Sequence, residues 1–475
     1  MLGFFRINVP DRLIALLVIM LMARVPFLLF GAPVTMPELV WQLCGEKLSH
    51  GALLYRDLVT ELGPLPAYIY ALLYAVFGKA TLPLQILAMA LTLLQAMHLN
   101  RIAIRYDLFP ERTWVPAAVY IFLSGWFFQF ITLSPALISS TFLVAAFGKT
   151  VKMLKAGLRE EEFLLPGFYT ALAALCWQPS ALFMPVPVIV FLLYTGVKLR
   201  QYFLLAFGFV LPFLVPILAF YTAGDATDFY RNYLPDFFNG SRTNYLGIST
   251  LLSLFSIPLV FLVFAVFKLS KVPRITNFQQ NSLSVAFFWL LSAIGGAVFS
   301  SEGSANPFYT AIAPMSIFIC WLFLLQKRNP LTELWFMLLL LAGVFCLYVT
   351  PFVDLHAGPQ FEQVFSIKNL VVKPPSANFP TGKKILVLGD DLSLYQGNRL
   401  ATPYLSRRLA QADFGRMDEY EGVRRIYSNI SSDYPDYIVN LDGTLDSLFN
   451  RIPVLASQYR PDPASGKGVY VHVGN

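Results

Sequence analysis

Long runs of apolar residues, separated by short polar connections, fill the first 350 positions of the chain. A helix needs about 20 apolar residues to cross the core of a bilayer. Eleven runs meet that requirement, at approximately 12–30, 83–104, 114–131, 135–150, 163–178, 180–196, 201–221, 248–267, 282–300, 306–325 and 331–350. Two shorter apolar stretches, at 38–49 and 64–77, are predicted to lie along the membrane surface. The pattern therefore predicts a membrane all-α bundle of about 11 transmembrane helices over residues 1–350.

The remaining residues follow a different pattern. A linker at 351–380 leads to a region, 381–475, in which short apolar runs alternate with helical patterns. The runs at 384–389, 436–441 and 468–473 predict strands, and helices are expected near 402–411, 419–431 and 444–458. Strands that alternate with helices favour a small α/β domain. Gly389-Asp390-Asp391 follows the first strand without the glycine spacing of a nucleotide site, and it is interpreted as a solvated turn.

Charge gives the chain an orientation in the membrane. With the N-terminus in the cytoplasm, the inner connections hold sixteen Lys and Arg residues, and the outer connections up to residue 350 hold five. Positive charge collects on the cytoplasmic side of membrane proteins. An odd number of spans then makes the C-terminal α/β domain extracytoplasmic. The net charge of +7 is accounted for by these loops and does not indicate a nucleic-acid partner.

The composition agrees with this picture and excludes other classes. Hydrophobic residues make up 56% of the chain and charged residues 13%, whereas a soluble protein carries roughly 25% charged residues. The four cysteines and four histidines lack metal-ligand spacing, so the sequence gives no case for a zinc site. The sequence identifies no cofactor and leaves open whether a divalent cation is needed.

The first outer loop, residues 31–82, carries the most chemical information. It contains an acidic residue at Glu38, a first amphipathic stretch, Gly51, and then Tyr55-Arg56-Asp57. Gly63-Pro64 and a second amphipathic stretch that ends in Phe77-Gly78 complete the loop. Amphipathic helices on a membrane surface can hold carboxylates above a cavity between spans.

In this order and near spacing the loop resembles that of the GT-C superfamily, multi-pass glycosyltransferases that take sugars from polyprenyl-phosphate donors on the outer face. Gln178-Pro179-Ser180 resembles the Lys-Pro-Ser step of that family. Phe308-Tyr309, followed by Pro314, resembles its His-Tyr and downstream Pro. A small α/β domain after the last span also occurs in the superfamily. The resemblance implies a GT-C-like transmembrane domain over residues 1–350.

The chain also departs from the family pattern at three polar positions. Alignment on Gly51 puts Pro37 at the place of the catalytic Asp and leaves Glu38 as the adjacent acid. The second acid, near the start of the fourth span, is replaced by Leu133-Ser134-Pro135-Ala136, and Phe308 replaces the His. These departures allow a divergent member that has lost catalysis, a pseudoenzyme.

Glycosyl transfer would need a carboxylate that accepts the proton of the acceptor hydroxyl. Glu38 is the acid at the expected place, Asp57 is the second catalytic candidate, and Glu61 is a reserve. Each also has a structural interpretation. Glu38 can stabilise the start of its surface helix, and Asp57 can form a loop ion pair with Arg56.

The leaving phosphate would need cations, and Arg matches phosphate with two parallel hydrogen bonds. The candidates for binding the lipid-phosphate donor are Arg56, Arg231 and Arg242 in outer loops and Arg24 within the first span. An ionisable residue inside a span has a functional interpretation by default. Arg24 can instead extend to the membrane interface, and loop arginines can rest on lipid headgroups.

Two functions follow. The first is an integral membrane glycosyltransferase that moves a sugar from a polyprenyl-phosphate donor to an extracytoplasmic acceptor. The second is a catalytically silent GT-C-fold protein that acts as a lipid-binding or envelope-complex scaffold, with protein partners bound through the C-terminal domain. Both place the chain in a bacterial-type inner membrane with a membrane lipid as its partner. For the glycosyltransferase that lipid is a polyprenyl-phosphate carrier. A transporter is disfavoured because no internal repeat is evident.

Overall fold

The computed structural model describes residues 1–475 except 156–158, 224–228, 230–232, 234–241, 273–274, 327–328, 353–366, 375–378, 402, 464, 467 and 474–475. The chain divides into two compact units, each built from separate segments. Unit 1 comprises Met1–Ala32, Thr81–Leu218 and Leu246–Ser366, and unit 2 comprises Pro33–Ala80, Ala219–Tyr245 and Ile367–Asn475. The predicted domains 1–350, 351–380 and 381–475 follow the chain instead, and their boundaries stay a prediction.

Unit 1 is helical. Its α-helices are Leu2–Phe5, Asp11–Phe30, Leu82–Arg105, Val115–Ser124, Pro135–Met153, Leu164–Cys176, Pro185–Tyr194, Leu199–Ala223 (whose last turn belongs to unit 2), Ile248–Leu269, Asn277–Phe299, Ile312–Leu325 and Pro330–Phe352. Short 3₁₀ helices form at Phe128–Ile131, Glu160–Phe163, Gln178–Phe183 and Asn306–Ala311. Among the described residues, eight helices are long and apolar enough to cross a membrane. The chain is thus a mostly helical, multi-pass membrane protein.

Eight of the eleven predicted spans coincide with these long helices. The other three, at 114–131, 163–178 and 180–196, consist of shorter helices joined to or flanked by 3₁₀ turns. Proline stands at the start of several of these pieces, where its missing N–H leaves no hydrogen bond unmade. The total of eleven spans therefore stays a prediction.

A buried amide organises the polar interior of unit 1. Gln95 donates to the carbonyl of Leu137 (2.8 Å) and to the Thr141 hydroxyl (2.7 Å). Its own carbonyl oxygen accepts from the hydroxyls of Tyr120 (2.8 Å) and Tyr309 (3.1 Å). Because an unsatisfied polar group is costly away from water, this network fixes three helices and the Asn306–Ala311 turn in one arrangement.

Two glycines allow helix Leu164–Cys176 to pack closely against helix Leu199–Ala223. A Cβ on Gly167 would overlap the carbonyl oxygen of Leu205, and one on Gly208 would overlap that of Leu164. Small residues at such crossings let two membrane helices bring their backbones together.

Unit 2 contains a five-stranded sheet formed by β1 Lys384–Leu388, β2 Arg399–Leu400, β3 Tyr437–Asn440, β4 Tyr459–Pro461 and β5 Val469–His472. Its order is β2-β1-β3-β5-β4, with β1 parallel to β2 and β3, and β5 antiparallel to β3 and β4. The helices of this region are Arg407–Phe414, Tyr420–Ser432, Thr444–Arg451 and Pro453–Ala456. The three predicted strands form as β1, β3 and β5. Sequence patterns missed β2 and β4 because they have only two and three residues.

The first outer loop folds as part of unit 2. Its two predicted surface helices form at Met36–Ser49 and Pro64–Phe77. Just before the first helix, Thr35 pairs antiparallel with Val371, and Met36 N–H donates to the Leu370 carbonyl (2.8 Å). Further along, Val59 N–H donates to the carbonyl of Pro403 (2.7 Å). Main-chain pairs therefore hold the loop against chain that follows it by more than 300 residues.

The close packing at Gly167 and Gly208 can be tested by adding one methyl group at a time. We expect Gly167→Ala and Gly208→Ala to lower the melting temperature of the detergent-purified protein, at a cost of about 1–3 kcal/mol for overpacking. Gly295→Ala is the matched control, because the Cβ would meet only Leu182 Cδ1 at 3.6 Å. Alanine is otherwise the better helix former by about 1 kcal/mol, so equal or higher melting temperatures for all three variants would contradict the close packing.

Candidate functional site

A polar cavity of about 450 Å³ lies within unit 2. Its volume falls in the range of about 300–1,000 Å³ that is usual for small-molecule sites. Six charged residues contribute to its lining: Arg242, Lys368, Lys373, Arg408, Asp390 and Asp391. Five neutral residues that can form hydrogen bonds complete the described lining, together with the apolar side chain of Met36. Four cations against two carboxylates favour a ligand that carries negative charge.

Glu38 stands in the first turn of the helix Met36–Ser49, whose first residue lines the cavity. Its side chain is buried, with 3% exposure. Gln42, one turn further along the same face, donates from Nε2 to Glu38 Oε1 at 3.1 Å. Pro37 occupies an early helical position where proline is well tolerated. The sequence therefore presents a carboxyl group on the buried side of the helix start.

Burial decides the protonation of this carboxyl group. Removal from water raises the pKa of Glu38 to about 8, and hydrogen bonds from the Thr35 backbone and from Gln42 oppose the shift only in part. A general base works best when its pKa lies near the operating pH. An exposed helix-capping Glu would keep a pKa near 4.5 instead, so the burial of Glu38 distinguishes it from a simple cap.

The second predicted carboxylate has a different environment. Asp57 accepts hydrogen bonds from Arg56 Nε (2.9 Å) and from Leu53 N–H (2.8 Å), and the ion pair is exposed. Partial burial by itself raises the pKa of Asp57, but these hydrogen bonds and the charge of Arg56 outweigh it and hold the pKa below its usual value. None of Asp57, Arg56 and Glu38 is among the described residues that line the cavity; only Met36, at the start of the Glu38 helix, is. The geometry favours a structural ion pair.

The neighbouring Tyr55 holds the loop in place. It has a positive φ of 68°, which is uncommon for a residue other than glycine. Its hydroxyl donates to the Leu62 carbonyl (2.8 Å), and its ring packs against Phe220, Phe229 and Tyr233 at centroid distances of 5.4, 5.4 and 5.9 Å. These contacts offset the strain and join the loop to the 219–245 segment of unit 2.

The cationic candidates are distributed over both units. Arg242 lines the cavity of unit 2, and Arg231 lies outside the described residues. Arg24 belongs to unit 1, where it is 4% exposed and borders a small apolar pocket of about 30 Å³. Its two terminal nitrogens have no hydrogen-bond partner among the residues that the structure describes. Arg24 is therefore buried within unit 1, where an unpaired cation is costly.

Sequence reasoning missed most of the cavity. Lys368 and Lys373 come from the predicted linker, and Arg408 lies in a helix that gave no chemical signal. Gly389-Asp390-Asp391 forms a partly exposed bend at the end of β1, as a solvated turn would, and both carboxylates also line the cavity. In the described part of the chain, no group of three or more His, Cys, Asp or Glu side chains is arranged to hold a metal ion.

No family model and no curated protein matches this chain. It is similar to a crystal structure of ArnT from Cupriavidus metallidurans bound to undecaprenyl phosphate, with 12% identity, a TM-score of 0.48, and coverage of 69% of this chain and 62% of that one. It is also similar to a crystal structure of the Archaeoglobus fulgidus oligosaccharyltransferase in complex with zinc and sulfate, with 10% identity, a TM-score of 0.44, and coverage of 97% and 73%. The chain thus spans less than two thirds of the ArnT chain. Because both TM-scores lie below 0.5, the family and the function of this chain are argued from its own residues.

The raised pKa of Glu38 predicts how the stability of the protein depends on pH. Between about pH 5 and 8 the native carboxyl group keeps a proton that the unfolded chain has lost, so native stability falls as pH rises through this window. Glu38→Gln keeps the shape and cannot ionise. The melting temperature of Glu38→Gln in detergent should therefore rise relative to that of the wild type from pH 5 to pH 8. The corresponding difference in the free energy of unfolding is about 1.4 kcal/mol for each unit of pKa shift.

Asp57→Asn is the control for this experiment. Since the pKa of Asp57 is lowered, its contribution is lost only in acid, and the difference from the wild type should stay constant from pH 5 to 8. Parallel pH profiles for Glu38→Gln and the wild type would show that Glu38 is ionised and solvated in the native protein.

Proposed function

We propose that the protein is a GT-C-like membrane glycosyltransferase that moves a sugar from a polyprenyl-phosphate donor to an acceptor on the extracytoplasmic side of a bacterial-type inner membrane. The observation that carries the proposal is the buried Glu38, with a pKa near 8, at the start of a helix that borders a cation-lined cavity. The ArnT neighbour holds undecaprenyl phosphate, which is a donor carrier of the proposed class.

The reaction needs one proton acceptor and one site for negative charge. The acceptor hydroxyl attacks the anomeric carbon of the donor sugar while its proton passes to the Glu38 carboxylate. The bond between that carbon and the phosphate oxygen breaks, and the electron pair leaves with the polyprenyl phosphate. A cation near the leaving oxygen lowers the barrier, and Arg242 is the predicted donor-binding residue that lines the cavity. Arg24, Arg56 and Arg231 stay further candidates for donor binding.

The catalytically silent scaffold is the second candidate, and two observations favour it. Phe308, at the position of the family's His, packs its ring against Phe255 at 5.2 Å and offers no polar atom. Asp57 and Arg56 neutralise each other in an exposed ion pair. A protein of this kind would keep lipid binding or docking of envelope proteins without turnover.

The enzyme proposal predicts an effect on cellular lipids that does not depend on the identity of the sugar. Cells that lack this chain should accumulate a polyprenyl-phosphate sugar, measured by mass spectrometry of extracted lipids, because its consumption has stopped. Wild-type protein should remove the excess, and Glu38→Gln should fail to do so at equal membrane levels, since glutamine cannot accept the proton. Asp57→Asn should restore turnover, with at most a severalfold loss.

The opposite results separate the alternatives. Full restoration by Glu38→Gln would exclude Glu38 as the base, and failure of Asp57→Asn alone would transfer that role to Asp57. If deletion leaves the lipid-linked sugars unchanged, and the purified protein retains envelope proteins but no polyprenyl phosphate in native mass spectrometry, the silent scaffold is correct.

A further inference from the structure

The cavity of unit 2 has a lining that does not suit a lipid tail. Of the twelve described lining residues, only Met36 is apolar; six are charged and five are neutral hydrogen-bonding residues. Apolar ligands gain affinity from apolar walls, whereas charged walls lose solvation when such a ligand covers them. A hydrophilic ligand therefore suits this cavity better than a lipid tail does.

One cation of the cavity, Arg408, is buried and held by a fixed partner. Arg408 has a side chain only 7% exposed, and its Nε donates to Glu61 Oε1 at 2.8 Å. Glu61 also accepts from the Ser406 hydroxyl at 2.8 Å. A buried guanidinium that is oriented in this way loses little conformational entropy when it binds an anion, because its position is already set.

The two carboxylates limit what kind of anion can bind. Asp391 Oδ1 accepts from Ser393 N–H (3.0 Å) and Ser393 Oγ (2.5 Å), and Lys373 Nζ donates to Asp391 Oδ2 at 3.3 Å. Asp390 stands beside it, and both line the cavity where β1 ends, between the parallel neighbours β2 and β3. The carboxyl ends of parallel strands are common ligand sites. A bare phosphate would be repelled by these carboxylates, but a ligand with hydroxyl groups can donate hydrogen bonds to them.

We infer that this cavity binds an acidic saccharide, in which a phosphate or carboxylate group contacts Lys368, Lys373 and Arg408 and sugar hydroxyls contact Asp390 and Asp391. The inference rests on the proposed function in one respect: it makes this saccharide the acceptor of the transferred sugar. Arg242 borders the same cavity, so a leaving phosphate and the acceptor can meet there, as a direct displacement at one carbon requires.

Binding of defined probes to the full-length protein in detergent tests the inference without turnover. Glucose 6-phosphate and glucuronate supply the two acidic groups, glucose is the neutral sugar, and inorganic phosphate is the anion without a sugar. By isothermal titration, at least one acidic sugar should bind at least about tenfold more tightly than both glucose and inorganic phosphate. The tighter of the two acidic sugars identifies the acidic group.

Single substitutions then locate the site. Lys373→Gln should weaken the acidic sugar about tenfold, as expected for the loss of one charged hydrogen bond. Asp391→Asn should reduce the preference over inorganic phosphate. Lys384→Gln is the matched control, because Lys384 is a similarly exposed lysine in an ion pair with Asp433 in the same unit and does not line the cavity. It should leave the affinity unchanged.

Three results would overturn the inference: no saturable binding of either acidic sugar, equal affinity for glucose or inorganic phosphate, or an equal loss in Lys384→Gln and Lys373→Gln. A loss in Arg242→Gln with none in Lys373→Gln would also overturn it, since the probe would then occupy a donor-phosphate position. The two proposals can fail separately. If deletion of the chain leaves the lipid-linked sugars unchanged but the wild type and Glu38→Gln still bind the acidic sugar, the proposed function is wrong and the saccharide site is retained.

Discussion

The antiparallel main-chain pairing between the first outer loop and the 370–372 segment is the contact on which the candidate site depends. Val372 N–H donates to the Val34 carbonyl (2.9 Å), and Met36 N–H donates to the Leu370 carbonyl (2.8 Å). Backbone groups that leave water must find partners, so the two segments satisfy each other. The pairing brings the helix start with Glu38 and the lysines of the 367–373 segment into one unit.

Side-chain ion pairs reinforce this arrangement with directed contacts. Lys47, on the helix after Glu38, pairs with Asp433 (2.9 Å) and also donates to the Ala401 carbonyl (3.1 Å). Lys79 pairs with the buried Glu46 within the loop at 3.0 Å and donates to the Asn398 carbonyl, next to β2, at 3.0 Å. Partly exposed pairs contribute little stability individually, but they fix the register of the loop against the sheet. The cavity therefore has walls from distant parts of the chain that keep a defined geometry.

Sequence patterns predicted the elements of the fold better than the assembly of the site. Hydropathy located the eight long helices, and short apolar runs located β1, β3 and β5, because both signals are local. The cavity was not predictable in this way, since Lys373 and Arg408 meet Met36 only through tertiary contacts. The ion pair of Asp57 was one of the two interpretations that the sequence left open. It could be predicted because its partner, Arg56, is the adjacent residue in the chain.

In the GT-C resemblance Pro37 stands at the place of the catalytic Asp, and the nearest acid of this chain, Glu38, lies one helical position further along. One residue along an α-helix is a rotation of about 100° and a rise of 1.5 Å, so Glu38 faces the side of Gln42 and is buried. With a pKa near 8, it is mostly protonated at neutral pH. A base in that state is active in a minor fraction of molecules unless a bound ligand stabilises its ionised form. Under the proposed function, catalysis therefore depends on a ligand that stabilises the ionised form of Glu38, which is not itself among the described residues that line the cavity.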